Sequence, residues 1–171
     1  MKKTLIATIL SVGCFANINT INQFEADFTQ NIVDDNNKTI VYKGHIRASK
    51  PQYALWQYTQ PVEKEIYIRD NRVIMIEPEL EQVIYKTMDS SFNFFSMINK
   101  AKKVTKNVYE ATFRDKHFFI VMEDDKIKSI TYHDEFDNKI TIEFSNEIIN
   151  KEIPKEVFEA NIPNDFDVIM E

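Results

Sequence analysis

The sequence predicts a mainly β protein built on one long antiparallel sheet of about ten strands, with a few helices. Apolar and polar residues alternate with period two through most of the chain, as in strands with one buried face. Short polar turns separate these strands, whereas parallel strands need crossovers of a dozen or more residues. Thirteen Phe and seven Tyr among 171 residues favour strands and a large apolar interior. A twisted sheet of this length curls, and helices can cover its concave face.

The first half of the chain contains six strand patterns. In the first, Phe24, Ala26, Phe28 and Ile32 share one face, and the turn DDNNK (34–38) follows. The patterns are FEADFTQNI (24–32), TIVYKGHIRAS (39–49), YALWQYT (53–59), KEIYIRD (64–70), RVIMIE (72–77) and EQVIYKT (81–87).

Four more strand patterns follow in the second half, again joined by short turns rich in Asp. They are NVYEATFR (107–114), HFFIVME (117–123), KIKSITYH (126–133) and KITIEFS (139–145). Between the halves, apolar residues at 94, 95, 97, 98 and 101 predict an amphipathic helix over 89–102. Lys100, Lys102 and Lys103 suit its last turn, where cations favour the helix dipole. Shorter helical segments are expected at 17–24 and at PKEVF (154–158).

The N-terminus has the pattern of a secretory signal peptide over residues 1–16. Lys2 and Lys3 precede an apolar run from Thr4 to Ala16 that is too short to span a bilayer as a helix. Cleavage after Ala16 leaves one domain, residues 17–171, exported to the bacterial periplasm. The alternative is lipidation of Cys14, which anchors the same domain to a membrane; Ser11 occupies the position where a lipobox has Leu.

The composition gives little support to catalysis. The histidines, His45, His117 and His133, each lie alone on a strand, so we expect no metal site and no cofactor. Only two glycines and a net charge of −6 argue against nucleotide-binding loops and nucleic-acid partners. Two strand segments, VIMI (73–76) and HFFIV (117–121), are apolar on both faces. Either a filled core or an open apolar cavity accounts for them.

Four sequence blocks resemble the periplasmic lipoprotein carrier family LolA. FEADFTQ (24–30) is similar to the family's F-x-A-x-F-T-Q, and GHIRASKPQYALWQYTQP (44–61) to its glycine, Arg-Pro and Trp block. IYIRDNRVIMIEPELEQV (66–83) and VFEANIPNDFDVI (157–169) are similar to its central and C-terminal blocks. The resemblance implies an unclosed antiparallel β-barrel of about eleven strands, with a helical lid over an apolar cavity.

The same resemblance implies a chaperone, not an enzyme. It binds acyl chains of lipoproteins released by an inner-membrane ATP-driven transporter and carries them to an outer-membrane receptor or the outer membrane itself. There are two alternatives. One is a receptor resembling LolB and anchored through Cys14; the other is an adaptor or stress sensor that uses this fold for protein recognition. We expect a monomer.

The cavity lining is predicted from strand parity around Trp56 and from the apolar face of the mid-sheet helix. Lys50 stands where the family has an arginine that latches the lid, and it offers one compact charge in place of a fork of donors. The predicted lipid-binding residues are Phe24, Phe28, Ile46, Lys50, Trp56, Tyr58, Met75, Phe94, Phe95, Met97 and Ile98.

Overall fold

The computed structural model describes residues 18–87 and 94–171 of the protein, and the predicted signal peptide lies outside them. Within these residues, twelve strands form a single sheet, and one α-helix packs against it. The elements are β1 (Gln23–Val33), β2 (Thr39–Ser49), β3 (Tyr53–Gln60), β4 (Lys64–Arg69), β5 (Arg72–Glu77), β6 (Gln82–Thr87), α1 (Phe94–Lys100), β7 (Lys102–Lys103), β8 (Val108–Phe113), β9 (Lys116–Glu123), β10 (Lys126–His133), β11 (Lys139–Ile149) and β12 (Asp167–Met170). Single 3₁₀ turns lie at Ile18–Thr20, Pro78–Leu80 and Lys155–Phe158.

Eleven of the twelve strands form two antiparallel meanders, β1–β6 and β7–β11, joined where β1 pairs with β11. The order of the sheet is β12-β6-β5-β4-β3-β2-β1-β11-β10-β9-β8-β7, so β12 and β7 are its two edges. The mainly β, unclosed architecture is confirmed. The chain passes from one end of the sheet to the other between β6 and β7, and α1 lies on this passage.

Turn chemistry explains how the hairpins form with so little glycine. Arg114 and Asp115 (φ 44° and 62°) and Asp124 and Asp125 (φ 47° and 64°) take left-handed conformations in two-residue turns. This geometry matches the twist of the flanking strands, and Asp tolerates it better than most residues.

Two details of the predicted sheet are wrong. First, the sheet is not wholly antiparallel, because β12 pairs in parallel with β6, with Val168 opposite Val83. The two strands are far apart in the chain, and residues 150–166 carry it from the end of β11 to β12. Second, Lys102 and Lys103 do not lie in a helix but form β7, opposite Glu110 and Tyr109 of β8.

The helix predictions need further correction. The α-helix ends at Lys100, where the Ala101 amide donates to the Ile98 carbonyl oxygen at 3.2 Å. Residues 89–93 of the predicted helix lie outside the described residues. The segment predicted as helical at 17–24 is only a 3₁₀ turn, because β1 already begins at Gln23. The expected turn after Pro154 is confirmed, at Lys155–Phe158.

Apolar side chains pack on both faces of β3 and β4. On the outer face, the C-terminal segment covers Leu55, Tyr67 and Val83 with Ile153 and Phe158. The inner face carries the larger cluster, which continues across β1 and β8–β11 and under α1. In VIMI, Ile74 and Ile76 belong to the outer-face core, whereas Val73 and Met75 are only partly buried on the inner face.

None of the helices in the described ranges has the length and apolar character needed to cross a membrane.

Candidate functional site

An apolar cavity of about 150 Å³ lies on the inner face of the sheet, beneath α1. One wall comes from the β2–β3 turn, β3 and β4, the opposite wall from β9–β11, and the roof from α1. Its described lining contains no charged side chain. The lining residues are Gln52, Tyr53, Ala54, Trp56, Ile68, Phe94, Phe95, Met97, Phe118, Ile130, Tyr132 and Ile142.

The roof is held by aromatic contacts. The ring of Phe94 lies 5.3 Å from that of Phe24 on β1 and 5.3 Å from that of Phe95, measured between centroids. Phe95 and Ile98 are fully buried, which orients α1 with its apolar face toward the sheet. The main neighbours of α1 among the described elements are β8 and the turn Ile18–Thr20. This seven-residue helix is therefore held by few elements of the fold.

Gly44 lies beneath an aromatic cluster beside the cavity, formed by Phe28, Trp56 and Tyr58. The rings of Phe28 and Tyr58 meet over this glycine with centroids 5.0 Å apart, and Phe28 packs edge-on against Trp56 at 5.2 Å. A Cβ at position 44 would overlap the Gln57 carbonyl oxygen and lie 2.7 Å from the Phe28 ring. Because glycine has no side chain, the rings of Phe28 and Tyr58 can pack directly over the strand at this position.

The phenol of Tyr58 is the polar group of this aromatic cluster. It donates a hydrogen bond of 2.9 Å to the side-chain oxygen of Gln30, which is itself buried. Burial raises the pKa of Tyr58, with Tyr132 and Tyr42 adding to the effect. The phenol therefore stays neutral and adds no charge to the apolar face.

Lys50 connects the helix to the sheet. Its ammonium lies 5.9 Å from the ring centroid of Phe95 in α1 and donates a hydrogen bond of 3.3 Å to the Asn19 carbonyl oxygen. A single lysine in the β2–β3 turn thus contacts both the roof helix and the N-terminal 3₁₀ turn.

The structure places the predicted lipid-binding residues in three groups. Those that line the cavity are Trp56, Phe94, Phe95 and Met97. Those that pack in the surrounding inner core are Phe24, Phe28, Ile46, Tyr58 and Ile98. Lys50 and Met75 are not in the lining; Met75 lies on the Trp56 face through the register Trp56–Ile66–Met75.

Strand parity did not identify the far wall of the cavity. Phe118, Ile130, Tyr132 and Ile142 face Trp56 from β9–β11. Each lies on a strand with clear alternation, so its burial was predictable. Its position opposite Trp56 was not, because that depends on β1 pairing with β11 and on the curl of the sheet.

A polar network occupies the opposite, outer face of β1 and β2. The imidazole of His45 lies between Asp27 (2.8 Å) and Glu25 (3.0 Å), and Arg47 donates to Glu25 at 3.2 Å. Hydrogen bonds from Asn146 and His45 lower the pKa of Asp27. In the described ranges, no group of three or more His, Cys, Asp or Glu is arranged to hold a metal ion. This network ties strands together on the face away from the cavity.

The fold and cavity define a class of protein: an unclosed β-sheet that curls around an apolar site beneath a short helix. A family model described as outer membrane lipoprotein carrier protein LolA matches residues 19–161. An outer-membrane lipoprotein carrier protein of Campylobacter jejuni is 38% identical over 170 residues, covering 99% of each chain. One from Wolinella succinogenes is 33% identical over 159 residues, covering 92% of each. The chain belongs to the LolA family.

Solved structures share the fold at low sequence identity. A LolA superfamily protein of Nitrosomonas europaea aligns with a TM-score of 0.52 and 8% identity, covering 85% of this chain and 96% of that one. An uncharacterized conserved protein of Thermus thermophilus aligns with a TM-score of 0.56 and 8% identity, covering 91% and 94%. These similarities concern the fold alone.

Proposed function

We propose that this protein is a periplasmic chaperone that holds the acyl chains of lipoproteins and carries them to the outer membrane. The observation that carries the proposal is the uncharged cavity beneath α1, in a chain that belongs to the LolA family. The role needs binding and release, and no chemical step.

The energetics explain why such a cavity is needed. Each buried methylene is worth about 0.8 kcal/mol, so the exposure of three acyl chains to water costs on the order of tens of kcal/mol. A carrier offsets this cost by presenting apolar walls, and Trp56, Phe94 and Met97 supply them.

The cavity must widen when cargo binds. A volume of about 150 Å³ is comparable to an engineered protein cavity that holds one benzene molecule. Several acyl chains are far larger. Displacement of α1 enlarges the space at least cost, because the helix is short and its main contacts are β8 and the turn Ile18–Thr20. The contact of Lys50 with Phe95 breaks in this step.

The partners follow from this role. The protein receives acylated lipoproteins from an inner-membrane ATP-driven transporter and delivers them to an outer-membrane receptor or to the outer membrane itself. Export through the signal peptide 1–16 places residues 17–171 in the periplasm. The mass of the processed protein tests this point, because a chain that begins at Asn17 is free, whereas a triacylated Cys14 makes it an anchored receptor.

The function is tested by purification from the periplasm followed by mass spectrometry for bound acylated protein. Trp56→Glu puts a charge in the cavity and is expected to abolish co-purification of cargo while the protein stays folded. Phe119→Glu is the matched control, because Phe119 is an exposed aromatic residue on the outer face of β9. Retention of cargo by the Trp56 variant contradicts the proposal.

A further inference from the structure

A groove lies next to the cavity. It has a volume of about 530 Å³ and lies between the turn from β8 to β9 and the turn from β10 to β11. Phe118 and Tyr132 line both the groove and the cavity. These two side chains therefore stand between the two spaces, and their displacement would join the cavity to the groove.

The chemistry of the groove differs from that of the cavity. Its lining combines aromatic rings with charged groups of both signs: Phe113, Arg114, Lys116, Phe118, Tyr132, Asp134, Glu135 and Phe136. An acyl chain buried there would remove water from charged groups without replacing their hydrogen bonds, which is costly. A polar chain with hydrogen-bonding groups suits this lining better.

Phe136 projects from a turn that is rigid. Its side chain is 77% exposed. The carboxylate of Asp134 accepts hydrogen bonds from the Phe136 amide (2.9 Å), the Asn138 amide (3.0 Å) and the Asn138 side chain (2.9 Å). These hydrogen bonds hold the backbone of the turn, and the exposed ring extends from it at the rim of the groove. An exposed aromatic side chain that shares a groove with Phe113 and Phe118 is typical of a binding surface.

We propose that this groove binds the first residues of the cargo polypeptide, those that follow the acylated N-terminal residue, while the acyl chains occupy the cavity. The inference rests on the proposed function. The acyl chains and the peptide belong to one covalent molecule, so the peptide must leave at an opening of the cavity. Aromatic rings can pack against an extended backbone, and groups of both charges accommodate different side chains. Such contacts are weak and general, which suits a carrier of many cargoes.

The test compares two ligands: a synthetic triacylated cysteinyl peptide and the same triacylated cysteine amide without the peptide. Trp56 is the single tryptophan and lines the cavity, so its fluorescence reports binding of either ligand. The double variant Phe136→Ser, Lys116→Gln is expected to bind the triacylated peptide on the order of tenfold more weakly. Its affinity for the triacylated cysteine amide is expected to stay unchanged. Phe119→Ser, Lys126→Gln is the matched control, since both residues lie outside the groove lining.

A photocrosslinking experiment locates the peptide directly. A benzoylphenylalanine at position 136 is expected to label the peptide, and one at position 119 is expected not to. Equal weakening of both ligands by the double variant, no weakening of either, or a crosslink from position 136 only to acyl chains would each overturn the groove assignment. If the wild-type protein binds neither ligand, the proposed function fails as well.

Discussion

At the scale of single residues, Gly44 carries a constraint that no other residue type satisfies. Its position under Phe28 and against the Gln57 carbonyl oxygen leaves no room for a methyl group. We predict that Gly44→Ala lowers the free energy of unfolding by about 1–3 kcal/mol, because the strands or rings must shift. Urea unfolding measures the change. Val41→Ala, at a more exposed position on the same strand, is the control and should stay within about 0.5 kcal/mol; an equally small effect at Gly44 contradicts the argument.

Glu147 is a second residue with a specific role, as a buried acid that joins β11 to β10. Its carboxylate accepts a hydrogen bond of 2.9 Å from Lys128, and its side chain is only 2% exposed. Burial alone would raise the pKa of Glu147, but the hydrogen bond and charge of Lys128 lower it below the usual value of 4.5. Because the folded pKa is depressed, this contribution to stability is present above about pH 4.5 and is lost as the pH falls through the folded pKa.

We therefore predict that Glu147→Gln is less stable than the wild type near neutral pH, by about 1–3 kcal/mol. The difference should shrink as the pH falls below 4.5, since a protonated Glu and Gln are nearly isosteric and neither carries charge. Denaturant unfolding at several pH values checks this dependence. A difference that does not change with pH would mean that the ion pair does not stabilise the fold.

At the scale of secondary-structure elements, α1 is held by few contacts, and Lys50 provides one of them. We predict that Lys50→Met speeds hydrogen exchange of the α1 amides by a few fold, because the variant loses both the Phe95 contact and the hydrogen bond to Asn19. Lys50→Arg keeps the charge and the donors and is the matched control. Unchanged exchange in the Met variant would show that Lys50 does not fasten the helix.

The elements also show what the sequence can predict and what it cannot. The strand patterns of both meanders correspond to strands in the structure, because period-two alternation reports burial of one face. The two edge strands, β7 and β12, do not follow from the sequence pattern in this way. Lys102 and Lys103 suit both the end of a helix and a short edge strand, and only pairing with β8 decides between them. The parallel addition of β12 depends on where the C-terminal crossover packs, which is a contact between distant parts of the chain.

The same distinction between local pattern and long-range contact applies to the residues of the site. Trp56 and the apolar face of α1 were identified as lining, because strand parity and helical spacing are local properties. Ile130 and Ile142 of the far wall were missed, because they come from the other meander. Periodicity likewise did not distinguish a filled core from a cavity. The structure contains both, a packed cluster around Phe24 and a small cavity beside Trp56.

At the scale of the whole molecule, the mismatch between the cavity and its proposed cargo predicts a change in shape. The free volume of about 150 Å³ cannot hold several acyl chains. Since the strands are held by continuous ladders, we expect the sheet to stay intact and α1 to move away from β3. Spin labels at Asn99→Cys and Thr59→Cys in the processed protein, residues 17–171, should therefore separate when a triacylated cysteinyl peptide binds. A pair at Val41→Cys and Thr59→Cys, both on the sheet, is the control and should keep its distance. If the first pair keeps its distance at saturating ligand, the lid is not α1, and the space for the acyl chains must come from separation of the strands themselves.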